Sequence, residues 1–128
     1  MPTDLNGTET ILLVEDEEAI PGLGKAILEL HGYKVLAANT PRVALKIARD
    51  YRGPIHLLIT DVVMPEMNGK DLRDELYTAR PGFKCIFISG YTANVIARHG
   101  VLDAGIDFLQ KPFSVQSLAE KVREVLHS

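Results

Sequence analysis

An α/β fold built on a parallel sheet is expected from three features of this sequence. Five short apolar-rich runs recur, at residues 11–14, 33–38, 55–60, 84–88 and 106–110. Stretches with helical apolar spacing separate them. Gly and Pro punctuate the junctions. Alternation of this kind implies right-handed crossovers with helices on both faces of the sheet, a three-layer α/β/α sandwich.

Residues 11–14, Ile-Leu-Leu-Val, form an unbroken apolar run ending in acid, as a strand buried on both faces would. Ala19, Ile20, Leu23, Ala26, Ile27 and Leu30 follow at helical spacing, with Gly32 placed to end the helix. Pro21, Gly22 and Gly24 weaken that helix; the proline is tolerable in the first turn, where N–H groups lack partners. After the second strand, Thr40-Pro41 opens a helix with a capping hydroxyl and a proline at the first helical position. Val43, Ala44, Ile47, Ala48 and Tyr51 give its expected buried stripe, and Gly53-Pro54 breaks the chain. Beyond the third strand, residues 64–69 read as a loop. Leu72, Leu76 and Ala79 mark a helix that Pro81-Gly82 stops. A weakly signalled helix is expected over 92–102. Ser114 can cap a last helix with the stripe Val115, Leu118, Ala119, Val122, Val125 and Leu126.

Composition limits the function. The 128 residues fit one domain, with residues 1–9 reading as a tail or linker and 10–128 as the domain proper. A net charge of −3, from 14 basic and 17 acidic residues, supplies no basic field for nucleic acid. The single cysteine, Cys85, excludes an internal disulfide and suits a reducing cytosol. No stretch is apolar enough to span a membrane, and residues 1–10 lack the basic-then-apolar pattern of a signal peptide, so a cytoplasmic location is expected.

Ligands of open α/β sheets bind at the carboxyl ends of the strands. Here those ends carry Glu15-Asp16, Asp61, Ser89 and Lys111-Pro112. Each has an ordinary reading by itself: acids before a helix N-terminus, a loop acid, a turn serine, a solvated lysine. Their conjunction on one rim is what points to a site. Three neighbouring carboxylates repel and call for a cation, and an all-oxygen set suits Mg²⁺, or Mn²⁺ in its place. One carboxylate can then act as nucleophile toward a phosphoryl group, with Lys111 and Ser89 holding its oxygens.

These residues resemble the receiver domain of two-component response regulators over about residues 11–126. The likeness rests on Leu13-Val14-Glu15-Asp16, on Asp61-Val62-Val63-Met64-Pro65 with Gly69, on Ser89-Gly90 and on Lys111-Pro112-Phe113. It implies a CheY-like doubly wound sheet of order 2-1-3-4-5. It implies that Asp61 is the phosphoacceptor, that Glu15, Asp16, Asp61 and the backbone carbonyl of Val63 hold Mg²⁺, and that Ser89 and Lys111 bind phosphoryl oxygens. Ser89 and Phe108 fall at the family's switch positions, Phe108 having plain core packing as its ordinary reading, and a cis Lys111-Pro112 bond is implied. The implied partner is a sensor histidine kinase or a histidine phosphotransfer domain, the role is signalling rather than enzymatic, and the chain is expected to be a monomer or weak dimer. Glu15 stands where aspartate is more frequent, and Val63 and Tyr91 occupy positions that vary in the family. No output domain is expected within these residues, and Ser89-Gly90-Tyr91-Thr92 leans toward a receiver from a hybrid kinase over a stand-alone regulator.

Other readings fare worse. A flavodoxin-like protein would need a phosphate loop where Glu15-Asp16-Glu17-Glu18 would repel the flavin phosphate. An aspartate phosphatase would place an Asp-x-Asp motif after the first strand, and a phosphate-independent pseudo-receiver would not need the full residue set.

Overall fold

The computed structural model describes residues 7–15, 23–64, 66–90, 106–111 and 113–127. In chain order they form β1 (Thr10–Val14), α1 (Leu23–Leu30), β2 (Lys34–Ala38), α2 (Pro41–Asp50), β3 (Leu57–Asp61), α3 (Gly69–Ala79), β4 (Lys84–Ser89), β5 (Phe108–Gln110) and a last helix, α4 (Val115–His127). The sheet is parallel throughout with order β2-β1-β3-β4-β5. The expected helix over 92–102 and the Lys111-Pro112 bond lie outside the described residues.

Strand alternation builds two cores. On one face Ile11, Leu13, Leu57, Ile59, Ile86 and Ile88 pack against α1 and α4. On the other, Leu12, Val14 and Leu58 meet Ala44 and Ala48 of α2 and Leu72 and Leu76 of α3. The central strands β1 and β3 are buried at every position, which is why they read as continuous apolar runs. Each fully buried Leu or Ile contributes about 1.5–3 kcal/mol.

Helix termini follow their local signals. The Thr40 hydroxyl accepts from Val43 N at 3.1 Å, with Pro41 at the first helical position. Ser114 Oγ accepts from Ser117 N at 3.0 Å. Gly32 ends α1 with φ +98°, a conformation open to glycine without steric cost.

The stripes of α2 and α4 are buried at Ala44 and Ala48 and at Leu118, Ala119, Val122 and Val125, whereas that of α1 departs from expectation in phase. Leu30 is 82% exposed, and α1 instead buries Gly24, Ile27 and Leu28, an i, i+3, i+4 set turned away from Leu30. Val43 and Val115 are also exposed, and α2 buries Pro41, Ala44 and Ala48 on the face turned away from Val43. The third and fifth strands start two residues later than the apolar runs do.

Arg123, on the inner face of α4, is buried in a network absent from the expected pattern. It donates to Glu9 Oε1 at 3.1 Å and to Tyr33 Oη at 2.9 Å, and lies 2.6 Å from His127 Nε2. The contacts tie the approach to β1 to the turn after α1 and to the last helix.

Two outcomes follow from these contacts. Thr40→Ala, which removes the cap, should cost about 1 kcal/mol of stability in denaturant titration. Burial would raise the Glu9 carboxyl, but its Arg123 hydrogen bond and charge outweigh that and hold it below its ordinary 4.5. A depressed carboxylate stabilises above its unfolded value, and that gain fades as pH falls through the folded one. Wild type should therefore lose more stability than Glu9→Gln as pH falls below about 4.5; parallel acid-unfolding curves would show that the pair contributes nothing.

Candidate functional site

The parallel register fixes where the polar strand ends meet. Val14 pairs with Thr60, and Asp61 with Ile88, so Glu15 and Asp61 reach the carboxyl rim side by side. Ladder bonds continue past the strands and clamp the backbone at the rim. Glu15 N donates to Ala38 O at 3.1 Å, Val62 N to Ile88 O at 2.9 Å, and Lys111 N to Ser89 O at 2.8 Å.

Lys111 lies between the two acids. Its Nζ is 2.8 Å from Asp61 Oδ1 and 3.0 Å from Glu15 Oε1. The side chains of Asp61, Glu15 and Lys111 are 5%, 14% and 15% exposed, so water screens the charges weakly. Burial disfavours the Lys111 ammonium, yet the bonds and charges of Asp61 and Glu15 prevail and lift it above the ordinary lysine range.

Ser89 is buried at the end of β4, in register with Gln110. Val63 lies in the loop after β3 with its side chain 58% exposed. Phe108 is half-buried and packs on the Val62–Phe87 cluster, its backbone in register with Phe87. Asp16, the third expected carboxylate, lies outside the described residues; among those described, no three Asp, Glu, His or Cys side chains form a metal-ligating group. The carboxylates of Glu15 and Asp61 are hard oxygen donors, a chemistry that suits Mg²⁺.

Two supports were not assigned by sequence reasoning. Thr60, fully buried, donates its hydroxyl to the Asp61 carbonyl at 3.0 Å and lies 3.8 Å from Met64 Sδ. Its signal was a polar residue inside an apolar run. Gly69 begins α3, donating its N–H to Val62 O at 2.7 Å, and a Cβ there would collide with the Asp61 carbonyl oxygen.

The family model of the response regulator receiver domain matches residues 11–123. The chain belongs to that family. The receiver is 44% identical over 124 residues to part of the Sensor kinase CckA of Brucella abortus, covering 97% of this chain and 13% of the kinase. It is 26% identical to the probable transcriptional regulatory protein TcrX of Mycobacterium tuberculosis, covering 91% of this chain and 49% of that protein. It thus spans half or less of these relatives. Among solved structures, the receiver domain of the hybrid histidine kinase CckA superposes with a TM-score of 0.76 at 37% identity, covering 91% of this chain and 98% of that one. A CheY-like receiver from Methanospirillum hungatei gives 0.77 at 31%, covering 94% and 95%. The relatives agree with the sheet order of the receiver fold and with its assignment to two-component signalling.

Within this receiver, Gly69→Ala should cost about 1–3 kcal/mol, since α3 must move off β3 to admit the methyl group. A stability within error of wild type would mean that the junction yields freely.

Proposed function

We propose that Asp61 is the phosphoacceptor of this receiver, taking a phosphoryl group from the phosphohistidine of a sensor kinase or phosphotransfer domain. What carries the reading is the Lys111 ammonium 2.8 Å from a nearly buried Asp61 carboxylate at the end of β3. An Asp61 carboxylate oxygen bonds to phosphorus as the partner's N–P bond breaks, and the released imidazole takes up a proton. Lys111 moves its attraction from the carboxylates to the phosphoryl oxygens, and Ser89 donates a hydrogen bond to another. Glu15, Asp16, Asp61 and the Val63 carbonyl are the residues that would hold Mg²⁺. When bound, the ion offsets the negative charge gathering on the transferred group. Phe108, packed on Val62 and Phe87, is placed to pass a rearrangement of Ser89 to the β4–β5 edge.

The 44% identity to a segment of a sensor kinase favours a receiver that works within or beside a hybrid kinase in the cytoplasm, with residues 1–9 as its linker and 10–128 as the receiver proper. The domain signals through its phosphorylation state rather than turning over an external substrate.

Incubation with phosphoramidate or acetyl phosphate and Mg²⁺, followed by intact mass, tests the acceptor. One phosphoryl adduct is expected in wild type, absent without Mg²⁺ and absent in Asp61→Asn. An adduct that persists in Asp61→Asn would place the acceptor elsewhere.

A further inference from the structure

The opposite rim carries a second, oppositely charged site. Glu9, His56 and the Pro81-Gly82 turn precede β1, β3 and β4, so they gather at the amino ends of the strands. With Arg52, Arg80 and Lys84 they line an open cavity of about 570 Å³, the size range of small-ligand sites. The five residues of β3, at about 3.3 Å each, put this cavity about 17 Å from the acidic rim.

Arg80 is held by neutral partners. Arg80 donates to Gly53 O at 2.9 Å and to Tyr51 O at 2.6 Å. Both acceptors are carbonyls, so the guanidinium is fixed in direction while its charge is retained. Lys84 Nζ donates to Val125 O at 3.0 Å. Arg52 is exposed and meets no acceptor among the described residues. The Thr10 N–H donates to His56 Nδ1 at 2.9 Å, so a neutral His56 carries its proton on Nε2 as a donor. The one acid in the lining, Glu9, is engaged by Arg123. Pro54 and Leu126 add apolar wall. In a chain of net charge −3, this concentration of donors departs sharply from the average surface.

We propose that this cavity binds a small phosphate-bearing anion of nucleotide class, its phosphates facing Arg52, Arg80 and Lys84 and its apolar body against Pro54 and Leu126. Arginine forks suit phosphate oxygens, and a fixed guanidinium loses little freedom on binding. The bond pattern has a structural reading too, in which Arg80 and Lys84 only satisfy helix-end carbonyls. Arg52 separates the two, because it satisfies none among the described residues.

Amide NMR on the whole chain, without Mg²⁺ and at constant ionic strength, provides the test. Pyrophosphate and ADP should shift the amides of Gly53, His56 and Gly82 saturably in the millimolar range or below. Arg52→Glu should keep the wild-type melting temperature and raise the apparent Kd at least about tenfold. Asp61→Asn should leave these shifts unchanged, which separates the cavity from the acidic rim. The proposal fails if no saturable shift appears at these amides, if Arg52→Glu binds as wild type does, or if sodium sulfate reproduces the shifts at equal strength. Adenosine binding as tightly as ADP would overturn the assignment of phosphate as the recognised group.

Discussion

Parallel pairing of β1 with β3 forces two carboxylates onto one rim, and the Lys111 ammonium makes their proximity tolerable. Neither acid can retreat, because Glu15 N is bonded to β2 and Val62 N to β4. Unit charges about 4 Å apart interact by about 4 kcal/mol at an effective dielectric of 20, so an unrelieved pair would oppose folding. Lys111 is fixed in turn by the Ser89 carbonyl of the neighbouring strand. The receiver thus holds a compact set of charges whose balance depends on sheet register. Any group that brings new negative charge to Asp61 must compete for the same lysine.

The backbone around Asp61 is built to keep that balance rigid. Thr60 points its hydroxyl at the Asp61 carbonyl, and α3 starts so close to β3 that only glycine fits at position 69. The Asp61 carboxylate therefore stands on a strand end braced from two sides, 2.8 Å from Lys111 Nζ. Ser89 is buried at the end of the neighbouring strand, and Phe108 packs half-buried on Val62 and Phe87 beside it.

Much of this was legible in the sequence, for a definite reason. A parallel sheet places every strand's last residue on the same rim, so Glu15, Asp61, Ser89 and Lys111 were identifiable as neighbours once five runs and their order were recognised. The caps at Thr40 and Ser114 and the turn at Gly32 were legible because their signals are local. The phase of α1 was not. Ile27, Leu28 and Leu30 permit two apolar faces, and packing against β1 and β2 selects the one that leaves Leu30 in solvent. The burial of Arg123 was hidden too, since its partners Glu9 and Tyr33 lie 114 and 90 positions away in sequence. The close approach of Gly69 to Asp61 depends on a loop path that the motif marks but does not describe.

The opposed polarity of the two rims follows from topology as well. Helices that return between parallel strands run against them, so helix N-termini gather at the carboxyl rim and helix C-termini at the amino rim. The N–H groups of α3 accordingly face the end of β3, where Gly69 N meets the Val62 carbonyl. At the other end, carbonyls of the α2 and α4 termini accept from Arg80 and Lys84. Helix dipoles favour anions at the first set of ends and cations at the second. The doubly wound fold thus places Glu15, Asp61 and Lys111 together on one rim and sets Arg80 and Lys84 against helix ends at the other. That arrangement gives Arg80 and Lys84 a structural role at the helix ends. Arg52, exposed at the same rim, meets no helix-end carbonyl among the described residues, so its guanidinium faces solvent beside the other two cations.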